Sequence, residues 1–129
     1  MSQCPKELRY SKSHEWVREE GNQIVTVGIT DYAQNALGDL VFVELPEVDA
    51  QLAAGEEVVV IESVKTAADV YNPVSGKVVT VNEELQTSPE SVNHDPYGDG
   101  WLYQIKLDDA SELKQLMNAK EYAATLEEE

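Results

Sequence analysis

The stretch from Gly55 to Val81, GEEVVVIESVKTAADVYNPVSGKVVTV, constrains the fold of this chain more than any other. Four consecutive β-branched residues, Val58, Val59, Val60 and Ile61, run up to Lys65, the only basic residue between Arg18 and Lys77. A smaller, more polar set, Ala67, Ala68, Asp69, Val70 and Tyr71, runs away from it, and Pro73 and Gly76 close the segment. Val58, Ile61, Val64, Ala68 and Tyr71 fall at steps of three and four, which is also the spacing of an apolar helical stripe, so periodicity leaves helix and hairpin both open. Side-chain stiffness favours the hairpin, because β-branched residues lose rotamer freedom in a helix and fit a pleated strand. The bracketing turn residues agree. The expected turn, Ser63-Val64-Lys65-Thr66, contains none of the Asn, Asp or Gly that tight hairpins use to reach positive φ. A local rule broken where nothing structural demands it marks a candidate functional position.

The 129 residues suit one domain with a modest core. Sixteen valines, none beyond Val92, point to a β-rich body, about residues 6–107, followed by a helical segment at about 111–127. The formal charge of −16, from 25 acids against 9 bases, repels nucleic acid and anionic lipid and would attract a basic protein face. One cysteine, Cys4, can form neither an internal disulfide nor a metal site. No apolar run approaches the roughly 18 residues of a membrane span, and the first nine residues resemble no leader. A soluble, cytoplasmic protein is expected.

Ile24 to Ile29 alternates, and with the segment before the Glu20-Gly21-Asn22 turn it predicts a first hairpin. Thr30 caps a short helix with Asp31 in its first turn; Ala33, Ala36 and Leu37 share a face, and Gly38 ends it. Leu40 to Leu45 is a strand stopped by Pro46. Gly38-Asp39-Leu40-Val41-Phe42-Val43-Glu44 is echoed 38 residues later by Gly76-Lys77-Val78-Val79-Thr80-Val81-Asn82, which suggests two similar sheets sharing one core. Asn82 to Tyr97 reads as a loop with one helical turn near Glu83 to Leu85. Trp101 to Leu107 is the last strand. Ser111 caps a helix with Leu113, Leu116 and Met117, and Ala119 to Leu126 continues it or forms a second. Glu127-Glu128-Glu129 reads as a solvated tail.

Lys65 admits several uses. A Schiff-base or general-base lysine needs an apolar pocket or a cationic neighbour to lose its proton. The neighbours here are Glu62 and Asp69, which favour the unreactive ammonium. No phosphate-cradling glycine loop, Cys/His cluster or nucleophile–base pair appears elsewhere, and His14 and His94 read as surface or capping residues. An acylated lysine carrying a cofactor is the other use, and it needs an accessible Nζ flanked by small residues.

The residues from Glu62 to Ala67, with Asp69 and Pro73-Val74-Ser75-Gly76, resemble the lipoyl-lysine segment of the glycine cleavage system H protein family. Four further blocks look like that family's, in its order: Ser13-His14-Glu15-Trp16; Val27-Gly28-Ile29-Thr30; Gly38 to Pro46; and Asp95-Pro96-Tyr97 with Gly100-Trp101. The resemblance implies a mainly β fold, a flattened barrel or sandwich hybrid of two antiparallel sheets (lipoyl/biotinyl-domain-like), with a short internal helix and C-terminal helices. It implies a non-catalytic shuttle with lipoate in amide linkage on Lys65, and with Glu62, Val64 and Thr66 as neighbours of the attachment turn. A pyridoxal-phosphate glycine decarboxylase would load an aminomethyl group. A tetrahydrofolate-dependent aminomethyltransferase would unload it, dihydrolipoyl dehydrogenase would reoxidise the dithiol, and a lipoate ligase or octanoyltransferase would attach the cofactor. In the family the loaded arm folds into a cleft with carboxylates near its amine, and the matching positions here are Glu15 and Asp69. Tyr32 stands where the family often carries His, and would line the same cleft. Thr66 replaces the commoner Ala. Two alternatives share the architecture: a carrier that distributes lipoyl or octanoyl groups to other enzymes, and a biotinyl domain, whose usual flanking methionines Val64 and Thr66 do not match.

Overall fold

The structure, a computed structural model, describes residues 4–127. Strand β1 (Arg9–Tyr10) pairs with β2 (Glu15–Gly21), which turns into β3 (Ile24–Ile29). The turn falls at Asn22 and Gln23, one residue later than Glu20-Gly21-Asn22 suggests. Both residues have positive φ (55° and 65°), the geometry whose twist matches that of the flanking strands. Helix α1 (Asp31–Leu37) follows, with the Thr30 hydroxyl accepting from Ala33 N–H and Gly38 closing it at φ 84°. The next elements are β4 (Leu40–Glu44), β5 (Gln51–Leu52), β6 (Glu57–Ser63), β7 (Ala67–Tyr71) and β8 (Gly76–Val81). A 3-10 turn (Glu83–Gln86) and a one-turn helix α2 (Ser91–His94) lead to β9 (Tyr103–Leu107), a second 3-10 helix (Ala110–Gln115) and α3 (Ala119–Glu127).

Two antiparallel sheets face each other and no barrel closes. One has six strands in the order β1-β2-β3-β9-β8-β5, the other three in the order β4-β6-β7. The helical reading of the valine run fails on burial. Val59 and Ile61 point inward, Val60 and Glu62 outward, and Val64 of the would-be helical stripe is 70% exposed. The echoed segments lie in different sheets, and both carry a register shift at the same place, at Val41 in β4 and at Val79 in β8. Each of these valines faces solvent. The sheets are unequal rather than similar, because β1, β2, β3 and β9 join the larger one from outside the echo.

The main core lies between the sheets, with Val27, Ile29, Val43, Ile61, Val78 and Ile105 among its buried residues. A second cluster, Leu8, Tyr10, Trp16, Ala119 and Tyr122, holds α3 against β1 and β2. The C-terminal segment differs from expectation in its caps. Asp109, not Ser111, caps the second 3-10 helix, its carboxylate accepting from Ser111 N–H. Asn118 and Glu121 cap α3 reciprocally: the Asn118 side chain accepts from Glu121 N–H (2.8 Å) and Glu121 accepts from Asn118 N–H (2.9 Å). Of the expected acidic tail, Glu127 ends α3, and the last two residues lie outside those described.

Candidate functional site

Lys65 is exposed at the tip of the β6–β7 hairpin. Neither Val64 nor Lys65 takes positive φ. The Ser63 side chain replaces what Asn or Gly does elsewhere. Its hydroxyl oxygen accepts from Lys65 N–H (3.3 Å) and Thr66 N–H (3.1 Å) and donates to Thr66 O (3.2 Å), while Ser63 N–H closes the turn on Thr66 O (2.7 Å). Ser63→Ala is therefore expected to cost about 1 kcal/mol of stability. It should also raise amide exchange at Lys65 and Thr66 ahead of the rest of β6, as read by hydrogen-exchange NMR.

The tip is braced from the side. Val64 N–H donates to Asp39 O (3.0 Å), and a Cβ added to Gly38 would lie 3.3 Å from Lys65 Cε, so the lysine stem runs over a residue with no side chain. Gly38 is held in turn by Asn93, whose amide donates to Gly38 O (2.9 Å) and Gln34 Oε1 (3.0 Å) and accepts from Leu40 N–H (2.9 Å).

Beside this platform is a cleft of about 200 Å³. Ile29, Ile61, Val70 and the α1 residues Ala33, Ala36 and Leu37 give it an apolar lining; Ser13, His14, Glu15, Tyr32 and Asp69 supply its polar groups. It begins at Leu37, next to Gly38, and at Ala68, three residues past Lys65. The structure thus brings Glu15, Tyr32 and Asp69 together in one cleft, whose lining reaches Ala68 in the strand after the turn but does not include Lys65. Glu62, Val64 and Thr66 are exposed around the turn and do not line the cleft. Glu15 also borders a second pocket of about 300 Å³ on its other side, but no residue of the Lys65 turn lines that one.

Glu15 is only 2% exposed. One carboxylate oxygen accepts from Ser11 Oγ (2.5 Å) and Ser13 Oγ (2.6 Å), the other from Tyr71 N–H (3.4 Å). Burial raises its pKa above the ordinary 4.5; the hydroxyls of Ser11 and Ser13, the Tyr71 N–H and the charge of His14 oppose this without cancelling it. A raised carboxyl pKa means the folded state binds this proton more tightly than the unfolded state. The contribution of Glu15 to stability therefore falls as pH rises from the ordinary value through the raised one. Glu15→Gln removes the ionisation. Urea midpoints should show the variant gaining on the wild type across that window, with a constant difference below about pH 4.

His14 has a larger part than sequence reasoning assigned to it. Its ring lies 4.7 Å from Tyr32 and its Nδ1 is 2.7 Å from the Tyr122 hydroxyl. Its position next to Glu15 was the one available signal. Among the described residues, no group of three His, Cys, Asp or Glu could hold a metal, and no helix is long and apolar enough to cross a membrane.

Comparison with known proteins agrees in sequence and in shape. A family described as Glycine cleavage H-protein matches residues 8–129. The chain is 57% identical over 129 residues to a glycine cleavage system H protein of Pseudoalteromonas translucida, covering all of both chains. It is 58% identical to one from Coxiella burnetii, covering all of this chain and 99% of that one. A crystal structure of a glycine cleavage system H protein from Mycobacterium marinum superposes with a TM-score of 0.84 at 41% identity, covering 94% of this chain and 97% of the other.

Proposed function

The chain belongs to the glycine cleavage H-protein family, and from that premise we propose that Lys65 holds lipoate through an amide on Nζ and that the cleft beside it receives the end of the arm. The chain is a carrier in the glycine cleavage system and not a catalyst. The observation that carries the site assignment is an exposed lysine on a braced tip, near a largely apolar cleft with Glu15 and Asp69 in its lining.

The residues present suit the group. Ser63, Asp39 and Gly38 fix the tip and leave Nζ reachable by a modifying enzyme, a lipoate ligase or octanoyltransferase. Ile29, Ile61 and Leu37 would keep water from the arm. Glu15 and Asp69 would take up the positive charge of an amine leaving bulk water, which gains from a nearby carboxylate. When attached, the dithiolane supplies the redox and thiol chemistry; the protein supplies presentation and shelter. Partners follow from the system: a pyridoxal-phosphate glycine decarboxylase, a tetrahydrofolate-dependent aminomethyltransferase and dihydrolipoyl dehydrogenase, in the cytoplasm. The −16 charge suits basic faces on these partners. The 129 residues act as one carrier domain.

Reconstitution with the decarboxylase and the aminomethyltransferase tests this reading. The lipoylated chain should support transfer and the unmodified chain should not. Deleting the gene separates the shuttle from a role in lipoate distribution: loss of glycine catabolism alone is expected, and loss of lipoylation on 2-oxoacid dehydrogenases would assign the distribution role instead.

A further inference from the structure

We infer that Asn93, on the one-turn helix α2, is a positioning residue for Lys65: its amide clamps the chain on both sides of Asp39 and so fixes the backbone against which the lysine tip is held. On the reading that Lys65 is the acylated residue, on which this depends, the clamp sets how the amine is presented to the modifying enzyme.

Asn93 uses both ends of its side-chain amide. Oδ1 accepts from Leu40 N–H (2.9 Å), and Nδ2 donates to Gly38 O (2.9 Å) and to Gln34 Oε1 (3.0 Å). The orientation of the amide follows from its partners, because a backbone N–H only donates and a backbone carbonyl only accepts. Gly38 and Leu40 flank Asp39, and Asp39 O accepts from Val64 N–H at the tip (3.0 Å). Leu40 stands opposite Ser63, whose hydroxyl closes the turn. A register shift at Val41 separates that pair from the rest of the β4–β6 ladder. Lys65 Cε lies 3.3 Å from where a Cβ on Gly38 would stand. The segment 38–40 thus meets the tip at each of its three residues, and Asn93 holds both ends of the segment.

The clamp is itself anchored. Val92, its neighbour in the chain, is fully buried in the main core, and Asn93 N–H and His94 N–H both donate to Glu90 O (3.0 Å each). Gln34 extends the clamp into α1: its Nε2 donates to Asp31 Oδ1 (2.8 Å), and Gly38 N–H donates to Gln34 O (3.0 Å) where the helix ends. One side chain therefore ties the end of α1 and the start of β4 to a turn that belongs to neither sheet. An enzyme that binds the tip in its braced form draws on the fraction of free chain already in that form. Loosening the brace raises the apparent dissociation constant and leaves the chemical step unchanged. In that step Nζ attacks the ATP-activated carbonyl of lipoate. A carbon–nitrogen bond forms, the bond from the carbonyl carbon to the activating phosphate oxygen breaks, and the proton of the amine goes to solvent.

Asn93→Asp keeps the shape and the acceptor for Leu40 N–H, but at pH 7 it sets an oxygen without a hydrogen against Gly38 O. Hydrogen-exchange NMR of the full chain should show the protection of Val64 N–H falling about tenfold at pH 7, the ratio set by one hydrogen bond of ordinary strength. Acidification toward about pH 4 protonates the introduced carboxyl, which then donates to Gly38 O, so protection should return. With purified lipoate ligase, lipoate and ATP, and the unmodified chain as the varied substrate, KM should rise by up to the same tenfold with kcat kept. A general loss of packing gives neither the recovery on acidification nor the split between KM and kcat. Val64 protection that is unchanged at pH 7, or lost and not regained at low pH, overturns the inference. An unchanged KM, or a fall in kcat at constant KM, overturns it as well. In each case the carrier reading stands if the wild type is acylated at Lys65. A wild type that the ligase leaves unacylated there overturns the carrier reading and the inference with it. If Asn93→Asp does not fold, the wild type decides. Its Leu40 and Val64 amides should exchange through one shared opening with equal protection, and unequal protection overturns the inference.

Discussion

Lys65→Arg abolishes acylation of the chain and reduces aminomethyl transfer to the level of the unmodified protein. Arginine keeps the charge and most of the stem length, but its guanidinium stays protonated at any physiological pH and offers no amine to acylate. The substitution separates chemistry from folding. Lys65 is exposed and its neighbours are fixed through backbone groups and the Ser63 hydroxyl, so stability should change by no more than about 0.5 kcal/mol. Thermal unfolding and circular dichroism that match the wild type, beside zero transfer in the reconstituted system, are the expected pair of results. Partial transfer by the variant would mean that another group carries the load.

Gly28→Ala is expected to destabilise the fold strongly. Gly28 pairs directly with Trp16 across β2 and β3, and the indole lies over it. A Cβ on Gly28 would come within 2.5 Å of Trp16 Cζ2 and 2.7 Å of Nε1. The ring cannot yield. It is fully buried, Nε1–H donates to Pro96 O (2.9 Å), and the Arg18 guanidinium sits 5.3 Å from the ring centroid. A single methyl group is therefore expected to cost about 3 kcal/mol, the upper part of the range for overpacking, and to lower Tm by about 10 °C. Trp16→Phe should relieve the clash, so a double-mutant cycle of the two substitutions should give a coupling of at least about 1 kcal/mol. Additive effects would mean that the ring does move.

What was legible in the chain was what local chemistry writes down. The Thr30 cap, the Gly38 stop, the alternation of Ile24 to Ile29 and the basic residue isolated at Lys65 each have a short-range cause, and each stands where the residues put it. Ser63 was not legible, because a serine that closes a turn through its own hydroxyl looks like any serine beside a strand. The caps at Asp109 and Asn118 depended on where a 3-10 helix ends, which the apolar spacing of Leu113, Leu116 and Met117 does not fix. The six-to-three division of strands depends on pairings between segments as distant as β3 and β9. The cleft is assembled from β2, α1 and the β6–β7 hairpin, so Glu15, Tyr32 and Asp69 could be gathered from resemblance but not from spacing. Nothing in the sequence linked Tyr122 to His14, 108 positions away.

The mass of the peptide containing Lys65, taken from protein made in cells supplied with lipoate, bears most directly on what this molecule is. A lipoyl adduct on that peptide, absent from the same peptide when position 65 is alanine, is the expected result. A peptide that stays unmodified beside a working lipoylation system, or an adduct that survives Lys65→Ala, would contradict it.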